Sequence, residues 1–242
     1  MSAPSAAASE FLSQRQRPLC IGCSIGVAGG GAGTLGLFVT DKQKRRLALT
    51  SREVVAVPGT PRRPVHQPAP LDVASPAMNT VIGEVAAATA LNRRYHLQAH
   101  AAVIELIDMV ETMGNVVPRT FPHARMKLRR IWEPRDSTGG VVAKIGRTTG
   151  YTEGSVLSVA MSMAIQGTES RVYRFENLIE IRSGTGSKPF SQPGDGGAVV
   201  FDPSNGRVFG LVMAGGKTAK GHVTFVCPIE PILQELDVQF AD

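Results

Sequence analysis

The chain has 242 residues, 43% hydrophobic and 19% charged, a composition that suits one β-rich domain or two small barrels and excludes a disordered or low-complexity chain. The formal net charge of +6 favours acidic partners, nucleic acid among them, without fixing a fold. The three cysteines Cys20, Cys23 and Cys227 do not form a secreted disulfide framework, and no run of 18 apolar residues predicts membrane insertion. The start, MSAPSAAASEFLSQRQRP, lacks the basic and apolar regions of a secretory leader, so an intracellular, cytoplasmic address is expected.

Residues 1–16 are rich in Ser and Ala and read as a disordered tail. Short apolar runs then alternate with turn residues. Leu19–Ala28, Thr34–Thr40 and Arg46–Val57 read as strands, and the proline-rich stretch 58–80 as a long surface loop. Val81–Leu91 fits a strand or an alanine-rich helix, and Ala99–Asp108 is a further apolar stretch. Strands follow at Val141–Ile145, Ser155–Ala164, Arg171–Ile181, Gly197–Asp202, Arg207–Met213 and His222–Val226. Ile229, Ile232, Leu233 and Leu236 give Pro228–Asp237 the spacing of a short amphipathic helix. The predicted class is all-β, with two antiparallel six-stranded barrels and a C-terminal helix. The first barrel spans 17–125, a connection 126–140, the second barrel 141–227, and the helix and tail 228–242.

Four ordered stretches carry a resemblance. AGTLGLFV (Ala32–Val39) precedes LALTSREVV (Leu47–Val55), AHAAVIELID spans Ala99–Asp108, and VAKIGRTTGYTEGSV spans Val142–Val156. FSQPGDGGAVVFD (Phe190–Asp202) leads to GRVFGLVMAGG (Gly206–Gly216) and TFVCPIEPIL (Thr224–Leu233). Together, over about residues 18–238, they resemble the trypsin-like (chymotrypsin-fold) serine peptidase family, intracellular fungal and bacterial members especially. The resemblance places the family's histidine at Glu53, its aspartate at His100 and its serine at Gly196. A hydroxyl nucleophile, an imidazole base and an orienting carboxylate are what acyl transfer requires, and none stands in its place. The implied protein is a triad-less pseudoprotease with no catalytic residue of that type.

Other parts of the family site are implied to persist. Gly194, Asp195 and Gly196 form the vestigial oxyanion loop, with the N–H groups of Gly194 and Gly196 at the hole positions. In secreted relatives the aspartate here at Asp195 pairs with a freed N-terminus, but no activation-cleavage signature accompanies it. Phe190 stands where trypsin-like specificity has an acid, and Leu211, Val212, Met213, Ala214 and Gly215 match the peptide-pairing strand. The implied partner is a protein or peptide. Two alternatives are a hydrolase that activates water with Glu53 and His100, and a nucleic-acid binder using Arg125–Arg130 or the cluster Lys42, Lys44, Arg45, Arg46. No cofactor or metal is expected. Cys20 and Cys23 resemble half a zinc site, but on a strand residues three apart point to opposite faces, and they read as buried thiols. His66, His96, His123 and His222 look isolated.

Overall fold

The structure is a computed structural model describing residues 6–56, 62–73, 80–92, 96–133, 138–166, 171–184, 189–218 and 221–241. The first half holds α1 (Ala6–Ser13), β1 (Ser24–Val27), β2 (Ala32–Thr34), β3 (Leu37–Asp41), β4 (Arg46–Ser51), α2 (Arg52–Val55), β5 (Pro64–His66), β6 (Val81–Ala88) and β7 (Ala101–Leu106). The second holds β8 (Arg130–Ile131), β9 (Val141–Gly146), β10 (Gly150–Gln166), β11 (Val172–Ser183), β12 (Val199–Phe201), β13 (Arg207–Thr218), β14 (Gly221–Pro228), α3 (Ile229–Leu236) and β15 (Val238–Phe240).

Two closed barrels result. β2 and β3 are arms of one bent strand. β2 pairs with β1 and β3 with β4, so the order β3–β4–β7–β6–β5–β1–β2 returns to its start. In the second barrel the order β12–β9–β10–β11–β14–β13 closes through β12–β13 pairing, with Val199 opposite Leu211. Closure leaves few sheet edges, so short strands with modest individual burial hold one another in register. The architecture is thus the two antiparallel barrels with a C-terminal helix that the sequence predicts. Apolar residues from both halves, among them Leu37, Leu49, Ile104, Ile145 and Phe201, fill a shared core. Among the described residues no helix is long and apolar enough to cross a membrane.

Several local expectations change. The tail assigned to 1–16 contains α1, whose Leu12 is fully buried, and the Gln16 N–H donates to Gln67 Oε1 at 2.9 Å. Leu12, with Phe11 packed beside it and the hydrogen bonds to Gln67, docks a segment whose composition reads as disordered. The loop assigned to 58–80 contains β5, which pairs with β1 and β6, and Gln67 and Ala69 beyond it are buried; residues 57–61 and 74–79 lie outside the description. Proline hid a three-residue strand there, because Pro64 opens it, where a missing N–H is tolerated. Val81–Leu91 resolves as a strand, since β7 offers it a full pairing partner. Cys20 and Cys23 flank a turn, not a strand, with Gly22 at φ +87°, and both are buried free thiols. The segment after α3 is not only a tail: β15 crosses back to pair with β3.

The basic clusters part company. Lys42 pairs with Asp237, Arg45 with Asp41 and Glu105, and Arg46 donates to the carbonyls of Ile107, Asp108 and Val110. Lys42, Arg45 and Arg46 of that cluster thus brace the β3–β4 hairpin. Lys127 and Arg129 are exposed on either side of buried Leu128.

Replacing Leu12 tests whether α1 belongs to the folded unit. Leu12→Ala should lower stability by about 2–4 kcal/mol, the cost of a buried cavity, in a urea unfolding curve; a disordered tail would register no change.

Candidate functional site

The loop Phe190–Gly197 is pinned from below by Asp195, which is fully buried. Its Oδ1 accepts the N–H groups of Thr148 (2.9 Å) and Thr149 (3.2 Å), and its Oδ2 accepts the Gln192 N–H (2.9 Å) and the Thr149 hydroxyl (2.7 Å). The matching cation is Lys144 on β9, also fully buried, with Nζ 3.7 Å from Asp195 Oδ2. The ammonium donates to Thr149 Oγ1 at 2.5 Å and to the Gly150 carbonyl at 3.0 Å, so the threonine hydroxyl relays between the two charges. Burial pulls the Lys144 pKa down, and the adjacent Asp195 opposes that pull. A Cβ at Gly146 would collide with Asp195 Oδ1, so the approach needs glycine there. Gly194 and Gly197 take φ +98° and +88°, letting the loop turn sharply into β12. The resemblance left Asp195 without its terminal partner. In this chain an internal lysine supplies the positive charge.

Glu53, His100 and Gly196 converge, although they come from three separate segments. Glu53 sits in the first turn of α2, which interrupts the strand expected over Arg46–Val57. Buried Val54 and Val55 fasten that turn, and Val54 packs where a side chain at Gly33 would stand. His100 precedes β7. Its Nδ1 lies 2.9 Å from Glu53 Oε2, and the Ser51 hydroxyl donates to the same oxygen at 2.5 Å. Phe175, carried in on the long β10–β11 hairpin, packs edge-on against the His100 ring at 5.4 Å. The other oxygen, Glu53 Oε1, lies 2.8 Å from where a Cβ at Gly196 would stand. The carboxylate therefore fills the place a nucleophile's side chain would use, with the imidazole behind it. Met213 and Cys227 meet nearby, sulfur to sulfur at 3.3 Å; burial first, and the Glu53 charge second, push the Cys227 thiol up.

Glu53, Gly196 and Met213 border a cleft of about 570 Å³ between the barrels, whereas His100 sits behind Glu53 and does not line it. Gly194 and Gly196 line it, and among the described residues nothing accepts the N–H of either. Val212 already exchanges hydrogen bonds with Gly197 and Ala198, so among the described residues β13 offers a free edge only from Met213 to Lys217. Met213, Ala214 and Gly215 border the cleft as the strand resemblance implies, and Val212 also lines it. Leu211 does not, because it is buried in the core. Phe190 does not line it either. Its ring is 1% exposed and lies 5.9 Å from Lys144 Nζ, since the alternation of the loop turns it into the barrel and leaves Pro189 and Ser191 at the surface. Sequence reasoning missed Lys144, Ser51, Phe175, Lys217 and His222. Of these, Lys144 alone carried a signal, a lysine at an inward position of an otherwise apolar strand.

The fold is that of the trypsin-like serine proteases. Thermobifida fusca protease A superposes with a TM-score of 0.64 over 92% of this chain and 99% of its own, at 17% identity. Cellulomonas bogoriensis chymotrypsin gives 0.62 over 92% and 97%, also at 17% identity, and Nocardiopsis protease 0.63 over 92% and 98%, at 16%. No protein-family model and no curated protein matches the sequence.

Lys144→Met should cost about 3–5 kcal/mol, because it leaves Asp195 charged and unpaired in the interior. The double variant Lys144→Met/Asp195→Asn should recover part of that loss. Urea denaturation of the wild type, Lys144→Met, Asp195→Asn and the double variant reads both, and strict additivity would mean the two groups do not interact.

Proposed function

We propose that the chain is a trypsin-like serine protease homologue without protease activity, which uses the emptied cleft to bind an extended peptide or a segment of a partner protein. The observation that carries this reading is the contact between Gly196 and Glu53. A glycine offers no nucleophile, and a carboxylate oxygen stands 2.8 Å from where its side chain would begin. A serine introduced there would first have to displace Glu53. The binding half of the reading rests on what is left. The β13 edge from Met213 to Lys217 pairs only with β14 among the described residues, and two N–H groups beside it have no acceptor. Unpaired backbone next to a cleft is what strand addition by a peptide requires.

Two measurements test the two halves. A fluorophosphonate probe should leave the purified protein unlabelled, and labelling that survives purification to homogeneity would overturn the loss of activity. Fluorescence anisotropy with labelled hexapeptides should give saturable binding, weakened by a residue that blocks the strand edge, such as Gly215→Pro.

A second reading follows from the Glu53–His100 contact at 2.9 Å, since a carboxylate held by an imidazole can take a proton from water. If this pair hydrolyses peptides, Glu53→Gln and His100→Ala should each lower turnover of a mixed peptide pool by about 100-fold. Turnover unchanged in both would end that reading.

A further inference from the structure

The end of the cleft away from Glu53's helix is built by the β13–β14 hairpin. Lys217 and His222 face each other across it in register, and both line the cleft. Both are exposed, and among the described residues neither forms an ion pair. Beside them Ser191 also lines the cleft, its hydroxyl 2.6 Å from that of buried Thr224. A Cβ at Gly215 would stand 3.1 Å from Ser191 Oγ and crowd it, and at Gly216 nothing lies within 4 Å. The wall is therefore left open by glycine over a hydroxyl, between two cationic or proton-donating side chains. Glu53 is the one carboxylate among the described residues lining the cleft. It belongs to the other barrel, and Ser51 and His100 hold it at the Gly196 position.

We infer that this pocket selects an acidic side chain, so that the peptide taken up by the cleft carries a glutamate or aspartate at the position facing Lys217 and His222. This rests on the peptide-binding reading above and adds the ligand's chemistry. A carboxylate there accepts from Lys217, from the Ser191 hydroxyl and from the imidazole N–H of His222, while the flanking backbone pairs with the β13 edge. A lysine side chain in the same place meets two bases and no acid. A neutral glutamine keeps the hydrogen bonds and loses the charge. Because both bases are exposed, the preference is moderate and weakens with added salt.

The test uses the full chain and three fluorescein-labelled hexapeptides, Ala-Ala-Ala-Xaa-Ala-Ala with Xaa as Glu, Gln or Lys, titrated by anisotropy at low salt. The glutamate peptide should bind roughly three- to tenfold more tightly than the glutamine one, and the lysine peptide weakest. Lys217→Met/His222→Ala should erase the order, and Lys217→Arg should keep it. Both residues are exposed, so a thermal melt should find the double variant folded. Glu53→Gln should tighten the glutamate peptide by removing a like charge. Equal binding of all three peptides, or a glutamate preference that survives the double variant, overturns the inference and leaves peptide binding in place. No binding of any peptide removes the peptide-binding reading, and this inference with it.

Discussion

The cleft keeps its shape through a buried charge pair. Asp195 cannot be left ionised in the interior without compensation, and four donors plus the Lys144 ammonium provide it. Each donor is also a tether. Thr148 and Thr149 belong to the turn between β9 and β10, Gln192 to the cleft wall, and Lys144 to β9, which pairs with β12. The carboxylate thus ties the floor of the second barrel to the loop that crosses the cleft. Thr34 extends the tie to the first barrel, its hydroxyl donating to the Gly194 carbonyl and accepting the Arg147 N–H. Arg147 in turn pairs with Asp72, which accepts the Ser24 hydroxyl. One polar chain runs from barrel to barrel beneath the loop.

This arrangement holds the loop in shape whatever side chain stands at position 196. In the resemblance, the aspartate is ordered by a terminal ammonium. Here the ammonium comes from the buried Lys144 side chain on β9. Gly196 can then stand empty without the loop relaxing, because the constraint acts on its neighbour. Glu53 fits the same logic. Two donors fix one oxygen, and the other occupies space that a serine would take.

A cleft of this kind is asymmetric in charge. The first barrel contributes a carboxylate that is already engaged, and the second contributes bases that are not. Electrostatic complementarity of that sort acts more on which ligand is chosen than on how tightly it is held. In the proposed peptide-binding role, the β13 edge would supply sequence-independent backbone pairing and the side chains at its end the choice.

The sequence by itself determined the barrel architecture, because turn residues recur between short apolar runs and four motifs stand in order around them. It also brought Glu53, His100 and Gly196 forward as the residues that the resemblance implies at the three family positions. Only the tertiary structure decided that these three meet, that Leu12 docks a segment of polar composition, and that Pro64–His66 is a strand. It alone decided that Phe190 and Leu211 turn into the core while Lys217 and His222 face the cleft. The physical reason is common to all of these. Composition and periodicity report what a residue prefers within a few neighbours, whereas burial, ion pairing and the direction of a side chain in a closed barrel are set by partners tens of residues away. Lys144 and Asp195 are ordinary charged residues until the barrel brings them within 3.7 Å of each other in its interior.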